Sequence, residues 1–151
     1  MPNGFRPPSE RASSDLGKNI SAAMDYHPKA IIINVPSEDV AFGYSIAEQL
    51  NNYDALFAFA QEQRVPLWIA SPQPRNFPSL GMRRQLSAVR DSLLHRYTGA
   101  HVIDFWTGIA DSSGGIRPEY DSGDGIHLNN AGQGVLCQRV ISTRVHAVLP
   151  K

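Results

Sequence analysis

Three short apolar runs constrain this chain more than any other feature: Ala30-Ile31-Ile32-Ile33-Asn34-Val35, Leu67-Trp68-Ile69-Ala70 and His101-Val102-Ile103-Asp104-Phe105. Each is too short for a stable helix and reads as a strand, the first and second as strands buried on both faces. Around them, apolar residues recur at helical spacing. Leu16, Ile20, Ala23, Met24 and His27 share a face that ends at Pro28; Ile46, Leu50, Tyr53, Phe57 and Ala60 define a second helix before Pro66. Met82, Leu86, Val89, Leu93 and Tyr97 define a third before Gly99, and a last one starts near Asn129 and turns Leu136, Val140, Val145 and Val148 inward. This alternation predicts an α/β domain whose strands run parallel, joined by right-handed crossovers, with helices on both faces. Ligands in such sheets sit beyond the carboxyl ends of the strands. Here those ends lead into Pro36-Ser37-Glu38-Asp39, Ser71-Pro72-Gln73-Pro74-Arg75-Asn76 and Trp106-Thr107-Gly108.

Composition narrows the function classes. At 151 residues, with 42% hydrophobic and 19% charged, the chain is the size of one domain and globular in composition. Lys plus Arg and Asp plus Glu both number 14, so the formal net charge is zero. A balanced chain has no general attraction for nucleic acid or anionic lipid, and neither is expected as a partner. Cys137 is the single cysteine, which excludes an internal disulfide and a Cys-based zinc site within one chain. No apolar stretch approaches a membrane span, and Met1 to Pro8 has no apolar signal-peptide core. The expectation is a soluble chain, cytoplasmic by default. Residues 1–14, with Pro2, Pro7, Pro8 and several serines, read as an irregular arm of a single domain spanning 1–151.

The segment Asp124-Gly125-Ile126-His127-Leu128-Asn129-Asn130-Ala131-Gly132 carries the chemistry. An Asp three residues before a His, in a turn entering a helix, can set its carboxylate against one imidazole nitrogen and free the other as a general base. Taken alone, the same residues also fit a loop carboxylate and a helix-entry His, with Asn129 or Asn130 capping. Asp121, Asp124 and His127 lack the acidic ladder of a calcium loop, and no metal is expected. Arg83, Arg84 and Arg90 share their helix with Asp91 and read as a solvated face. Arg75, beside Asn76, fits a substrate carboxylate or phosphate as well as a salt bridge that anchors its loop, and the salt bridge is the expectation.

The segment resembles the last motif block of the SGNH (GDSL-type) esterases and lipases. Ile31-Ile32-Ile33-Asn34-Val35-Pro36-Ser37-Glu38-Asp39 looks like that family's third block, and Ser71-Pro72-Gln73-Pro74-Arg75-Asn76 like a loop common in one branch. Val102-Ile103-Asp104-Phe105-Trp106 followed by Asp124-Gly125-Ile126-His127 keeps the family's order and spacing. The resemblance runs from about Ile20 to Val140. It implies a three-layer α/β/α fold with a parallel sheet, flavodoxin-like and shortened at its N-terminus.

Two departures stand out. No Gly-Asp-Ser occurs in the chain, so the family's nucleophile block and the glycine N–H donor that comes with it are absent. In the third block Glu38, just before Asp39, stands where the family has an oxyanion-binding Asn. Loss of such a donor costs about 2.7–4 kcal/mol of barrier, and a carboxylate adds repulsion.

The resemblance implies a carboxylic-ester hydrolase acting on small acyl esters without a cofactor. His127 would be the general base and then acid, Asp124 its orienting partner, Glu38 the occupant of the oxyanion-hole position, with Asp39 also lining the site. Ser37 and Ser71, just past strand ends, are the possible nucleophiles; both also fit as loop serines capping turns. The alternatives are a truncated or degenerate domain that binds a ligand or partner without turnover, and a hydrolase or lyase in which Glu38 and His127 activate water. With the family's first strand absent, the strand at 31–35 becomes an apolar edge, which predicts a homo-oligomer, most simply a dimer.

Overall fold

The computed structural model describes residues 20–34, 37–97, 101–143 and 145. The arm at 1–14, Leu16, Val35, Gly99 and Val148 lie outside the described residues. The elements in chain order are α1 (Ile20–Met24), β1 (Ile31–Asn34), α2 (Glu38–Ala41), α3 (Ile46–Glu62), β2 (Leu67–Ala70), α4 (Leu80–Arg96), β3 (Val102–Ile103) and α5 (Asn130–Ser142). The strands form one parallel sheet in the order β1-β2-β3, with Ile31 opposite Leu67 and Ile69 opposite Val102. The α/β class and parallel sheet are as the alternation predicts.

β2 anchors the core. Leu67, Trp68, Ile69 and Ala70 are all buried, because helices cover both faces of the central strand. On one face Ile69 packs with Val40 of α2, Tyr53 of α3, and Leu86, Val89 and Leu93 of α4. Leu67, on the same face, meets Ile20 of α1 and Ala60 of α3. On the other face Trp68 and Ala70 meet Ile103, Phe105, Ile109, Ile116, Leu128 and Leu136 of α5. Three layers result.

β1 departs from expectation. It is half-buried rather than buried on both faces: Ile31 and Ile33 pack towards Ile20, Ala60 and Leu67, whereas Ile32 is 40% exposed. The strand lies at the edge of the described sheet, and among the described residues no helix covers the Ile32 side. β3 is shorter than its sequence run. The ladder stops at Ile103, and the Phe105 N–H donates to the Ser71 hydroxyl instead.

Local signals set the helix starts. Ser45 and Glu48 close a reciprocal capping box on α3. Ser79 accepts from Met82 N–H to cap α4, and Asn129 accepts from Gly132 N–H to cap α5. α1 is shorter than its periodicity, since His27 adopts a left-handed φ of 49° beyond its end. Of the three α4 arginines read as a solvated face, Arg84 is exposed as expected, whereas Arg83 and Arg90 are engaged. Arg83 donates to the Phe77 carbonyl and the Ser113 hydroxyl, and Arg90 bridges Asp91, Asp104 and Thr107. They tie the helix to the loops at the carboxyl end of the sheet.

Candidate active site

At the carboxyl ends of the strands lies a cleft of about 260 Å³, lined by Asn34, Ser37, Glu38, Gln73, Ile126, His127 and Gln133. β1 delivers Asn34 and the turn after it delivers Ser37 and Glu38. The loop after β2 delivers Gln73, the turn before α5 delivers Ile126 and His127, and α5 itself adds Gln133.

The Asp124–His127 turn is built around one carboxylate. Asp124 Oδ2 lies 2.6 Å from His127 Nδ1. Its Oδ1 accepts the backbone N–H groups of Ile126 and His127, each at 2.8 Å, and the Ser122 hydroxyl at 3.0 Å. The His127 contact first, then these N–H donors, hold the Asp124 carboxyl well below the usual carboxylate range. The aspartate is therefore ionised near neutrality and fixes the imidazole with Nδ1 towards it. The ring is exposed along the cleft. Gln73 Nε2 donates to the Ile126 carbonyl at 2.8 Å, tying the turn to the loop after β2.

The other sequence candidates fall on both sides of the cleft wall. Ser37 lines it, and its hydroxyl accepts from Arg75 Nη1 at 3.2 Å. Glu38 also lines it, 3.7 Å from the same guanidinium, which stacks over Phe77. Arg75 thus anchors its loop, as its position suggests. Ser71 does not reach the cleft. It is fully buried and its hydroxyl accepts the Phe105 N–H at 2.9 Å, which continues the link between β2 and β3 and holds it away from the cleft. Asp39 is also misplaced as a lining residue. One helical step rotates it about 100° from Glu38, and its charge, behind burial, helps to push the Tyr53 phenol up.

Three amides of the cleft, Asn34, Gln73 and Gln133, escaped the sequence reading. Gln73 stands inside the quoted loop motif. Asn34 stands inside the quoted third block, at the end of β1, and Gln133 lies one turn into a helix with no local chemical signal. Among the described residues no group of three or more His, Cys, Asp or Glu side chains could hold a metal ion, and no helix is long and apolar enough to cross a membrane.

Comparison with curated proteins gives no match. Solved structures are similar in fold. A Bacteroides fragilis protein provisionally described as an acylhydrolase shares 13% identity, with a TM-score of 0.75 over 95% of this chain and 72% of its own. A GDSL-like lipase from Bacteroides thetaiotaomicron gives 15%, 0.66, 93% and 70% in the same order. A carbohydrate esterase of family 3 from Talaromyces cellulolyticus gives 16%, 0.65, 98% and 77%. In sequence, the model of the GDSL-like Lipase/Acylhydrolase family matches residues 4–135, most of the chain with its cleft-lining turn included, and the chain belongs to that family.

Proposed function

We propose that the cleft hydrolyses small carboxylic esters, with His127 as general base and Asp124 as the group that orients it. The observation that carries this reading is the 2.6 Å contact between Asp124 Oδ2 and His127 Nδ1 at the mouth of a polar cleft. With Nδ1 engaged, Nε2 is the nitrogen left to take a proton. Ser37 supplies the cleft's hydroxyl. Its Oγ attacks the acyl carbonyl while its proton passes to Nε2. The same proton then leaves with the alcohol, and water, deprotonated in turn by His127, releases the acid and restores Ser37. The amides of Asn34 and Gln133 are the neutral donors available to a developing oxyanion; Glu38 is not a donor when ionised. The cleft's size and polar lining favour a short acyl group over a long lipid chain.

Hydrolysis of p-nitrophenyl acetate by the wild type and His127→Ala tests this. Slow turnover that disappears in His127→Ala is expected. Equal rates for the two proteins would reject the base assignment and favour a domain that binds a ligand or partner without turnover.

A further inference from the structure

Resting on the assignment of His127 and Asp124 as the acid–base pair, we infer that Asn76 is the positioning residue that holds their turn in place. Its side chain touches neither member of the pair. It joins separate stretches of the loop-rich side of the cleft. Nδ2 donates to Asp121 Oδ2 at 2.8 Å, Oδ1 accepts the Ile116 N–H at 2.7 Å, and the Asn76 backbone N–H donates to the Gly125 carbonyl at 2.7 Å. Gly125 is the residue between Asp124 and Ile126.

Asp121 passes the constraint on. Its Oδ1 accepts the N–H groups of Gly123 and Gly125, at 2.8 and 3.0 Å, which flank Asp124 on either side. Its other oxygen is the one that Asn76 holds. The amide is also confined sterically. A Cβ on Gly125 would come 2.9 Å from Asn76 Cβ, and one on Gly115 2.6 Å from Asn76 Oδ1. Gly125 further adopts φ +70°, which disfavours any other residue. The two glycines let the backbone close on the amide, and the amide fixes how closely it closes.

The position requires an amide. It must donate to a carboxylate on one side and accept an N–H on the other, which a carboxylate or an aliphatic side chain cannot do. Asn76→Asp has the same shape but sets a second carboxylate against Asp121. Exchanging the partners restores the pattern. In Asn76→Asp with Asp121→Asn, the new amide donates across the gap, its oxygen still accepts from Gly123 and Gly125, and the new carboxylate still accepts from Ile116.

The test measures His127 directly. Imidazole ¹⁵N correlation spectra report which nitrogen carries the proton, independently of activity, and kcat and KM for p-nitrophenyl acetate are measured beside them. Wild type is expected to show the Nδ1-protonated ring. Asn76→Asp is expected to lose that signature and to lower kcat by about 100-fold with KM changed little. The exchanged double variant is expected to recover both. Should Asn76→Asp not fold, the double variant is compared with Asp121→Asn alone. An unchanged His127 spectrum in the folded single variant overturns the inference, as does a double variant that folds without recovering the signature. Activity that survives His127→Ala would instead strike at the acid–base assignment, and the spectra would still report whether Asn76 places the ring.

Discussion

Asp124 grips His127 at both ends: one carboxylate oxygen meets the imidazole Nδ1 at 2.6 Å and the other accepts the backbone N–H of the same residue at 2.8 Å. Asp124→Asn keeps an oxygen for the backbone bonds and loses the negative charge beside the ring. It is expected to lower kcat for p-nitrophenyl acetate by about 10³–10⁴-fold while leaving the thermal midpoint within a few degrees. Rates within threefold of wild type would remove Asp124 from the mechanism.

The two loop serines separate cleanly. Ser37→Ala is expected to abolish His127-dependent turnover without affecting stability beyond about 1 kcal/mol, because among the described residues its hydroxyl accepts from Arg75 at a long 3.2 Å. Ser71→Ala strips the buried Phe105 N–H of its acceptor and is expected to cost about 1–3 kcal/mol of stability. Urea unfolding and ester hydrolysis measured on both variants decide the matter. Turnover that persists in Ser37→Ala would point to another nucleophile.

Asp104 should govern part of the acid sensitivity. Burial pushes its carboxyl up, but the Arg90 guanidinium, the Thr107 hydroxyl and the N–H groups of Trp106 and Thr107 outweigh this and hold it at about 2. The folded value lies below the unfolded one, so the stabilisation is complete above about pH 4 and is lost as pH falls towards 2. Asp104→Asn is expected to be about 2 kcal/mol less stable at pH 6, with the gap closing near pH 2. A gap that stays constant across this range would refute the linkage.

Association is expected through β1. Ile31-Ile32-Ile33-Asn34 is an uncharged edge of the described sheet, Ile32 is 40% exposed, and the formal net charge of zero does nothing to keep copies apart. Light scattering at micromolar concentration should give a mass above 16.6 kDa, and Ile32→Lys should shift it towards the monomer. A monomeric wild type ends this expectation.

What the chain reveals before it folds depends on how far apart the interacting residues stand. β2 was legible to its ends, because four consecutive buried residues leave an unbroken apolar run. The contact between Asp124 and His127 was legible because it closes within one turn. α2 was missed, since a single helical turn is too short to show a period. Ser37 and Ser71 are equivalent in sequence, each following a strand. Only the sheet distinguishes them, because β2 is central and draws Ser71 inside while β1 is an edge and leaves Ser37 at the cleft. Asn76 stands inside the quoted loop motif, but its positioning role is invisible there, as its partners at 116, 121 and 125 lie 40 or more residues away.

The family's sequence pattern stops at 135, in the middle of α5. The physical unit does not stop there. Leu136 is buried against β2 and β3, and Arg139 reaches back to the Asp104 carbonyl at 2.5 Å and to the Thr107 carbonyl. The helix that begins just after His127 is thus stitched, from its far half, to the end of β3. An expression boundary drawn where the sequence match ends would cut those stitches and leave the histidine turn hanging from a frayed stub. A boundary beyond Thr143 keeps those contacts and leaves the turn anchored from both sides.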